Sequence, residues 1–228
     1  MDAPHLVVSI VLAIPMARVI ERVAMRFSTS RPWFRNEPSP RLGLRTIVVT
    51  TLVAGVYVAT AFRFDRSGWA EYLAYIALFA VLVLLSIIDI GEYRLPDVIV
   101  LPAIALGAVI VVVVSLLDDD PDRIGHALIG AAVAFVVLLA AHLVSPQGMG
   151  FGDVKFALLL GLAVGWQAGT MIESLILVLW MLLIGFGVGS LVGVVLWIVR
   201  RRNAPFPFGP FLAIGTFVTV MVSGSLVG

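Results

Sequence analysis

Cysteine is absent from the 228 residues, and lysine occurs once, at Lys155. The first absence excludes disulfides and any cysteine-ligated metal or cluster. Charge is scarce too, with Asp, Glu, Lys and Arg making up 13% of the chain against 61% hydrophobic residues. An ordinary soluble domain carries about 25% charged and about 45–50% apolar residues. So few polar side chains do not suffice to cover a water-soluble globule of this size. The composition argues against a soluble enzyme, a disordered chain and a nucleic-acid binder, and no nucleic-acid partner is expected.

What the chain has in quantity is long apolar runs, at a mean hydropathy of +1.11. A helix needs ~20 mostly apolar residues to cross the hydrocarbon core. Runs bounded by charge, proline or glycine clusters give eight candidate spans, at about 5–24, 45–62, 71–90, 96–117, 124–144, 153–168, 171–199 and 208–227. The expected fold is therefore an all-α, polytopic membrane protein of about eight transmembrane helices, forming a single domain over 1–228. The first span is the weakest, because Arg18, Glu21 and Arg22 fall in its last turns, and the sixth is short. In the first span the arginines follow the apolar stretch. It therefore reads as an anchor and not as a cleavable signal, whose positive charge comes first.

Charge asymmetry sets an expected orientation. Arg18, Arg22, Arg26, Arg31, Arg35, Arg41, Arg45, Arg94, Lys155 and Arg200–Arg202 fall on one side of the spans. Arg63, Arg66 and Arg123 fall on the other, with the acidic run Asp118–Asp120 and Asp122. The positive-inside bias then predicts both termini outside, with an arginine-rich cytoplasmic loop over 26–45 that contacts anionic lipid. Glycines at four-residue spacing, Gly161 with Gly165 and Gly185 with Gly189 and Gly193, predict faces for close helix packing. His5, His126 and His142 lack metal-ligand spacing and read as interfacial. So do Trp33, Trp69, Trp166 and Trp197, while mid-span Trp180 reads as packing.

Two segments carry candidate chemistry on the predicted cytoplasmic side. Asp89 ends an apolar run and is followed by Leu95-Pro96-Asp97 and a new helix, with Pro96 suited to the first helical position. The second segment is Gly148-Met149-Gly150-Phe151-Gly152-Asp153-Val154-Lys155. Its glycines permit close backbone approach or positive φ, and Asp153 reads either as a helix N-cap or as a reactive carboxylate. Two carboxylates brought within a few ångströms share one proton near neutral pH. One then serves as base on water while the other, protonated, polarises a carbonyl. The helix dipoles leave the proton on Asp89, at a C-terminus, and ionise Asp153, at an N-terminus.

Asp89 with Leu95-Pro96-Asp97, together with Gly150-Phe151-Gly152-Asp153-Val154-Lys155, resembles the type IV prepilin peptidase family of G-x-G-D aspartic membrane proteases. Pro207-Phe208-Gly209-Pro210-Phe211 resembles that family's entry to its last helix, so the likeness covers about 75–216. The resemblance implies that Asp89 and Asp153 are catalytic, supported by Pro96, Asp97, Gly150, Gly152, Lys155, Gly209 and Pro210. It implies cleavage of the basic leader from prepilin-like substrates at the cytoplasmic face of the cell membrane, with no cofactor and no metal. Many members carry a cysteine-containing insert and methylate the new N-terminus with S-adenosylmethionine. The lack of cysteine excludes a zinc-bound insert and counts against methyl transfer, leaving a minimal, peptidase-only form. Three rivals remain: an intramembrane G-x-G-D protease cutting within a helix, a proton-coupled transporter using Asp89 and Asp153, and a structural membrane scaffold with no chemistry. A homodimer is left open. For Lys155 a snorkelling anchor is favoured over a contact with the dyad, and Asp97 is expected to hold the turn of the first motif.

Overall fold

The computed structural model describes residues 3–27, 43–65, 67–146, 149–200 and 206–226. Among these, eight α-helices and no strand are present: α1 (Ala3–Phe27), α2 (Leu44–Arg63), α3 (Trp69–Glu92), α4 (Asp97–Leu117), α5 (Asp122–Val144), α6 (Phe151–Gly165), α7 (Met171–Arg200) and α8 (Gly209–Leu226). Six of them (α2, α3, α4, α5, α7 over Met171–Leu196, and α8) are long and apolar enough to cross a membrane. Eight helices were expected and eight are described, with α1 and α6 the two outside this set of six. Helix α1 carries Arg18, Glu21, Arg22 and Arg26 in its second half. Helix α6, with 15 residues, is ~22 Å long at 1.5 Å per residue, short of a ~30 Å hydrocarbon core. The protein is an all-α polytopic membrane protein, and its exposed side chains are largely apolar, Leu101, Leu106, Val109 and Val113 of α4 among them. The chain divides into two compact units, Met1–Glu92 and Tyr93–Gly228.

In the first unit α1, α2 and α3 pack on one another. Helix α1 buries a narrow stripe, His5, Ser9, Ala13, Ala17, Ile20 and Ala24, at helical spacing. The neighbouring helices bury the aromatic side chains Tyr57, Tyr72, Tyr75 and Phe79. One polar knot links all three helices. The Ser9 hydroxyl lies 2.8 Å from the Tyr57 carbonyl and 2.7 Å from the Tyr72 hydroxyl, and Tyr72 donates to the His5 carbonyl at 2.9 Å. The His5 ring stacks on Trp69 at 4.0 Å, and His5 is buried. Glu21 is buried as well and accepts a hydrogen bond from Thr46 at 3.2 Å.

In the second unit α6 is the central helix, packed by α4, α5, α7 and α8. It buries Asp153, Val154, Phe156, Ala157 and every residue from Leu159 to Gly165. A helix apolar on all sides is one enclosed by others. Glycine sets the closest crossing. A Cβ on Gly161 would enter the backbone of Gly130 in α5, and one on Gly165 would meet the His126 carbonyl and Ser174 Oγ. The four-residue glycine spacing of α6 thus serves the packing expected of it. In α7, Gly185 and Gly189 lie under Phe211, Leu212 and Phe208, whereas Gly193 has only a loose contact with Phe206 at 3.9 Å. At the far end of α6, Trp166 is buried, donating from Nε1 to Ser115 Oγ at 2.9 Å, with the Arg123 guanidinium 4.7 Å from its ring centroid. His126 is likewise buried, with Nδ1 3.1 Å from the Ala168 carbonyl. Trp180, expected to pack, is 39% exposed on α7. Trp33 and the Trp197 side chain lie outside the described residues.

Candidate active site

Asp89 stands in the last turn of α3, 4% exposed. It was expected at a helix C-terminus, and that is where it lies. The helix stops three residues later, and Tyr93 follows with φ 54, in the left-handed region that closes many helices. The chain then takes an extended step to Pro96 (φ −72, ψ 125), which is the N-cap of α4 and not its first helical residue. The Pro96 carbonyl accepts from the amides of Ile99 and Val100, both at 3.0 Å, and so starts the helix. Asp97 is thereby its first residue, where the helix dipole favours a carboxylate.

The second motif is built in the other unit. Gly150 is the N-cap of α6 (φ −69, ψ 144), and Asp153 is the third helical residue, its amide donating to the Gly150 carbonyl at 3.1 Å. Asp153 is therefore not the cap that one reading of the sequence allowed. Its carboxyl turns back toward the start of the helix, since a Cβ on Gly150 would stand 3.4 Å from Asp153 Oδ2. The side chain is 8% exposed. No described glycine adopts positive φ, so of the two roles open to these glycines close approach is the one used. At Gly152 a Cβ would meet Leu95 Cβ at 3.2 Å, which brings the connection before α4 against the first turn of α6.

Lys155 departs from the snorkelling role. Its Nζ donates to both carboxylate oxygens of Asp97, at 2.8 and 2.7 Å, and sits 5.2 Å from the Phe151 ring centroid. The pair joins the starts of α4 and α6, and so joins Pro96-Asp97 to the Gly150–Asp153 segment. Gly209 and Pro210 are buried in the first turn of α8, where the Phe208 carbonyl accepts from Phe211 at 3.1 Å and Leu212 at 3.3 Å. Helix α8 runs antiparallel to α7, as the Gly185–Leu212 and Gly189–Phe208 approaches require.

Within the second unit the structure thus assembles Pro96, Asp97, Gly150, Gly152, Asp153 and Lys155 around the starts of α4 and α6. Asp89 belongs to the first unit, in the last turn of α3. Two neighbours were given no part in the site by the sequence: Phe151, the seat of Lys155, and His142, read as interfacial, whose ring lies 5.5 Å from Phe151. Among the described residues the buried carboxylic acids are Glu21, Asp89 and Asp153, and no cluster fit to hold a metal ion is found. Gly148 lies outside the described residues.

Six helices fit to cross a membrane, with Asp89 and Asp153 buried near helix ends, define the class as a polytopic all-α membrane protein. The particular family is identified by comparison: the chain belongs to the type IV leader peptidase family, which matches residues 76–224 and so includes both Asp89 and Asp153. The chain is 32% identical to a prepilin leader peptidase/N-methyltransferase of Aeromonas hydrophila over 81% of its own length and 61% of that protein's. It is 35% identical to the Pseudomonas putida protein of the same name (79% and 60%) and 36% to that of Pseudomonas aeruginosa (76% and 56%). The chain spans about six-tenths of the length of these relatives. No solved structure matches it.

Proposed function

We propose that this protein is an aspartic endopeptidase that removes the basic leader of prepilin-like proteins at the cytoplasmic face of the membrane. The observation that carries the reading is the family match over 76–224, which contains two aspartates buried at helix ends, Asp89 and Asp153. In this reading the ionised carboxylate of the pair takes a proton from water as the oxygen attacks the scissile carbonyl. The protonated carboxyl donates to the carbonyl oxygen, giving a tetrahedral diol. Collapse of the diol breaks the C–N bond, and the proton taken from water goes to the leaving amine. The reading omits methyl transfer, on the ground that the chain lacks cysteine. Anionic phospholipid, held by the arginine-rich segment around 26–45, is the expected lipid partner.

The test uses purified protein in lipid with candidate prepilins, with and without S-adenosylmethionine, and product masses read by mass spectrometry. Wild type should give one cut at the leader junction and no added methyl group. Asp89→Asn and Asp153→Asn should each abolish the cut while leaving the thermal midpoint near that of wild type. A cut that survives in either variant removes the dyad, and a methylated product removes the peptidase-only assignment.

A further inference from the structure

His142 is the one histidine near the Gly150–Asp153 segment, and nothing in the proposed chemistry uses it. It lies in the last turn of α5, and its Nδ1 is 2.8 Å from the carbonyl of Met149. Its ring rests against Phe151 at a centroid distance of 5.5 Å. The imidazole therefore touches the residue before Gly150 and the residue after it, bracketing the N-cap of α6. A carbonyl can only accept, so Nδ1 carries a proton and donates. Phe151 in turn bears the Lys155 ammonium at 5.2 Å, and Lys155 reaches Asp97. The first turn of α6 is thus held from α5 by His142 and from α4 by the ion pair.

We propose that His142 is a positioning residue for Asp153: its Nδ1–H clamps the Met149 carbonyl and so fixes the N-cap from which the Asp153 carboxyl is aimed. The physical case is that a helix start has free amides and frays first. An acid–base group three residues past the cap inherits that motion unless the cap is tied down. Displacement of a reacting group by about 1 Å costs up to about a hundredfold in rate. The glycines of this segment supply the close approach to Leu95 and contribute no side chain of their own to hold it.

The proposal rests on the peptidase reading for its activity arm and on geometry alone for its exchange arm. Three variants separate the roles of the ring. His142→Asn places an amide donor where Nδ1 stands, His142→Gln places one where Nε2 stands, and His142→Ala supplies none. Amide hydrogen exchange of wild type and the three variants in lipid should show the peptide over Phe151–Val154 exchanging about tenfold faster in His142→Ala and His142→Gln. His142→Asn should stay within about threefold of wild type, and the buried stretch Leu159–Gly165 should keep its protection in all four, reporting an intact fold. In cleavage assays the Ala and Gln variants should lose about ten- to a hundredfold in kcat with KM unchanged, and Asn should restore it. Equal protection of Phe151–Val154 in wild type and His142→Ala overturns the clamp. So does an Asn variant that exchanges like Ala, or a full kcat in the Ala variant. Should wild type cleave none of the prepilins, the peptidase reading falls while the exchange result still decides the clamp.

Discussion

Lys155 shows how a residue acquires a meaning that its own neighbourhood in the chain does not contain. As the single lysine of the sequence, next to a predicted cytoplasmic loop, it has the features of an interfacial anchor. Its partner Asp97 lies 58 residues away, and no local spacing announces a pairing over that distance. The Asp97 side chain is 54% exposed and Lys155 24%, so solvent screens the pair and its contribution to stability is at most about 1 kcal/mol. Lys155→Met and Asp97→Asn should accordingly lower the thermal midpoint by a few degrees at most, and the double variant by no more than either single one. The larger effect belongs to alignment of the two helix starts. Each variant should reduce the cleavage rate about three- to tenfold. Additive losses in a double-mutant cycle would show that the two residues do not act as a pair. The close approach at Gly152, by contrast, was legible in the sequence from the glycines themselves, whereas the cap was placed at Asp153 and the structure moves it to Gly150.

Helix α6 makes the corresponding case for elements. Its short length was legible in the sequence, but its position at the centre of four neighbours was not. An apolar stretch facing lipid and one facing protein have the same composition, since lipid tails are as apolar as leucine. Glycine spacing gave a partial clue, pointing to Gly161 and Gly165 but not to Gly130, on the other side of the crossing. Substitution separates the two kinds of glycine. Gly161→Ala puts a methyl into the Gly130 backbone, where neither helix can yield cheaply. It should cost at least about 2 kcal/mol, read as a lowered unfolding midpoint in detergent. Gly55→Ala on the exposed side of α2, with nothing within 4 Å of the new methyl, should be neutral or stabilising by up to about 1 kcal/mol. Equal losses at both sites would mean that helix propensity, and not the crossing, governs the effect.

On the scale of the whole molecule, the charge asymmetry yields a prediction that the absence of cysteine makes simple to check. Ser67, between α2 and α3, is expected outside, and Ser145, after α5, on the cytoplasmic side. Single-cysteine variants Ser67→Cys and Ser145→Cys should react oppositely with a membrane-impermeant maleimide in intact cells. The first should be labelled directly and the second only after permeabilisation. Labelling of both from outside would overturn the orientation and, with it, the cytoplasmic placement of Asp153.

The sequence by itself determined that the protein lies in the membrane, roughly where its helices run, and which segments carry the two aspartates. Each of these depends on residues within about twenty positions of one another, through hydropathy, capping and motif spacing. Only the tertiary structure decided that α6 is enclosed, that Gly130 meets Gly161, that Lys155 belongs to Asp97, and that His5, His126 and Trp166 are buried. These outcomes join residues far apart in the chain, and in a membrane the usual guide to burial is lost, because apolar side chains face lipid and protein core alike.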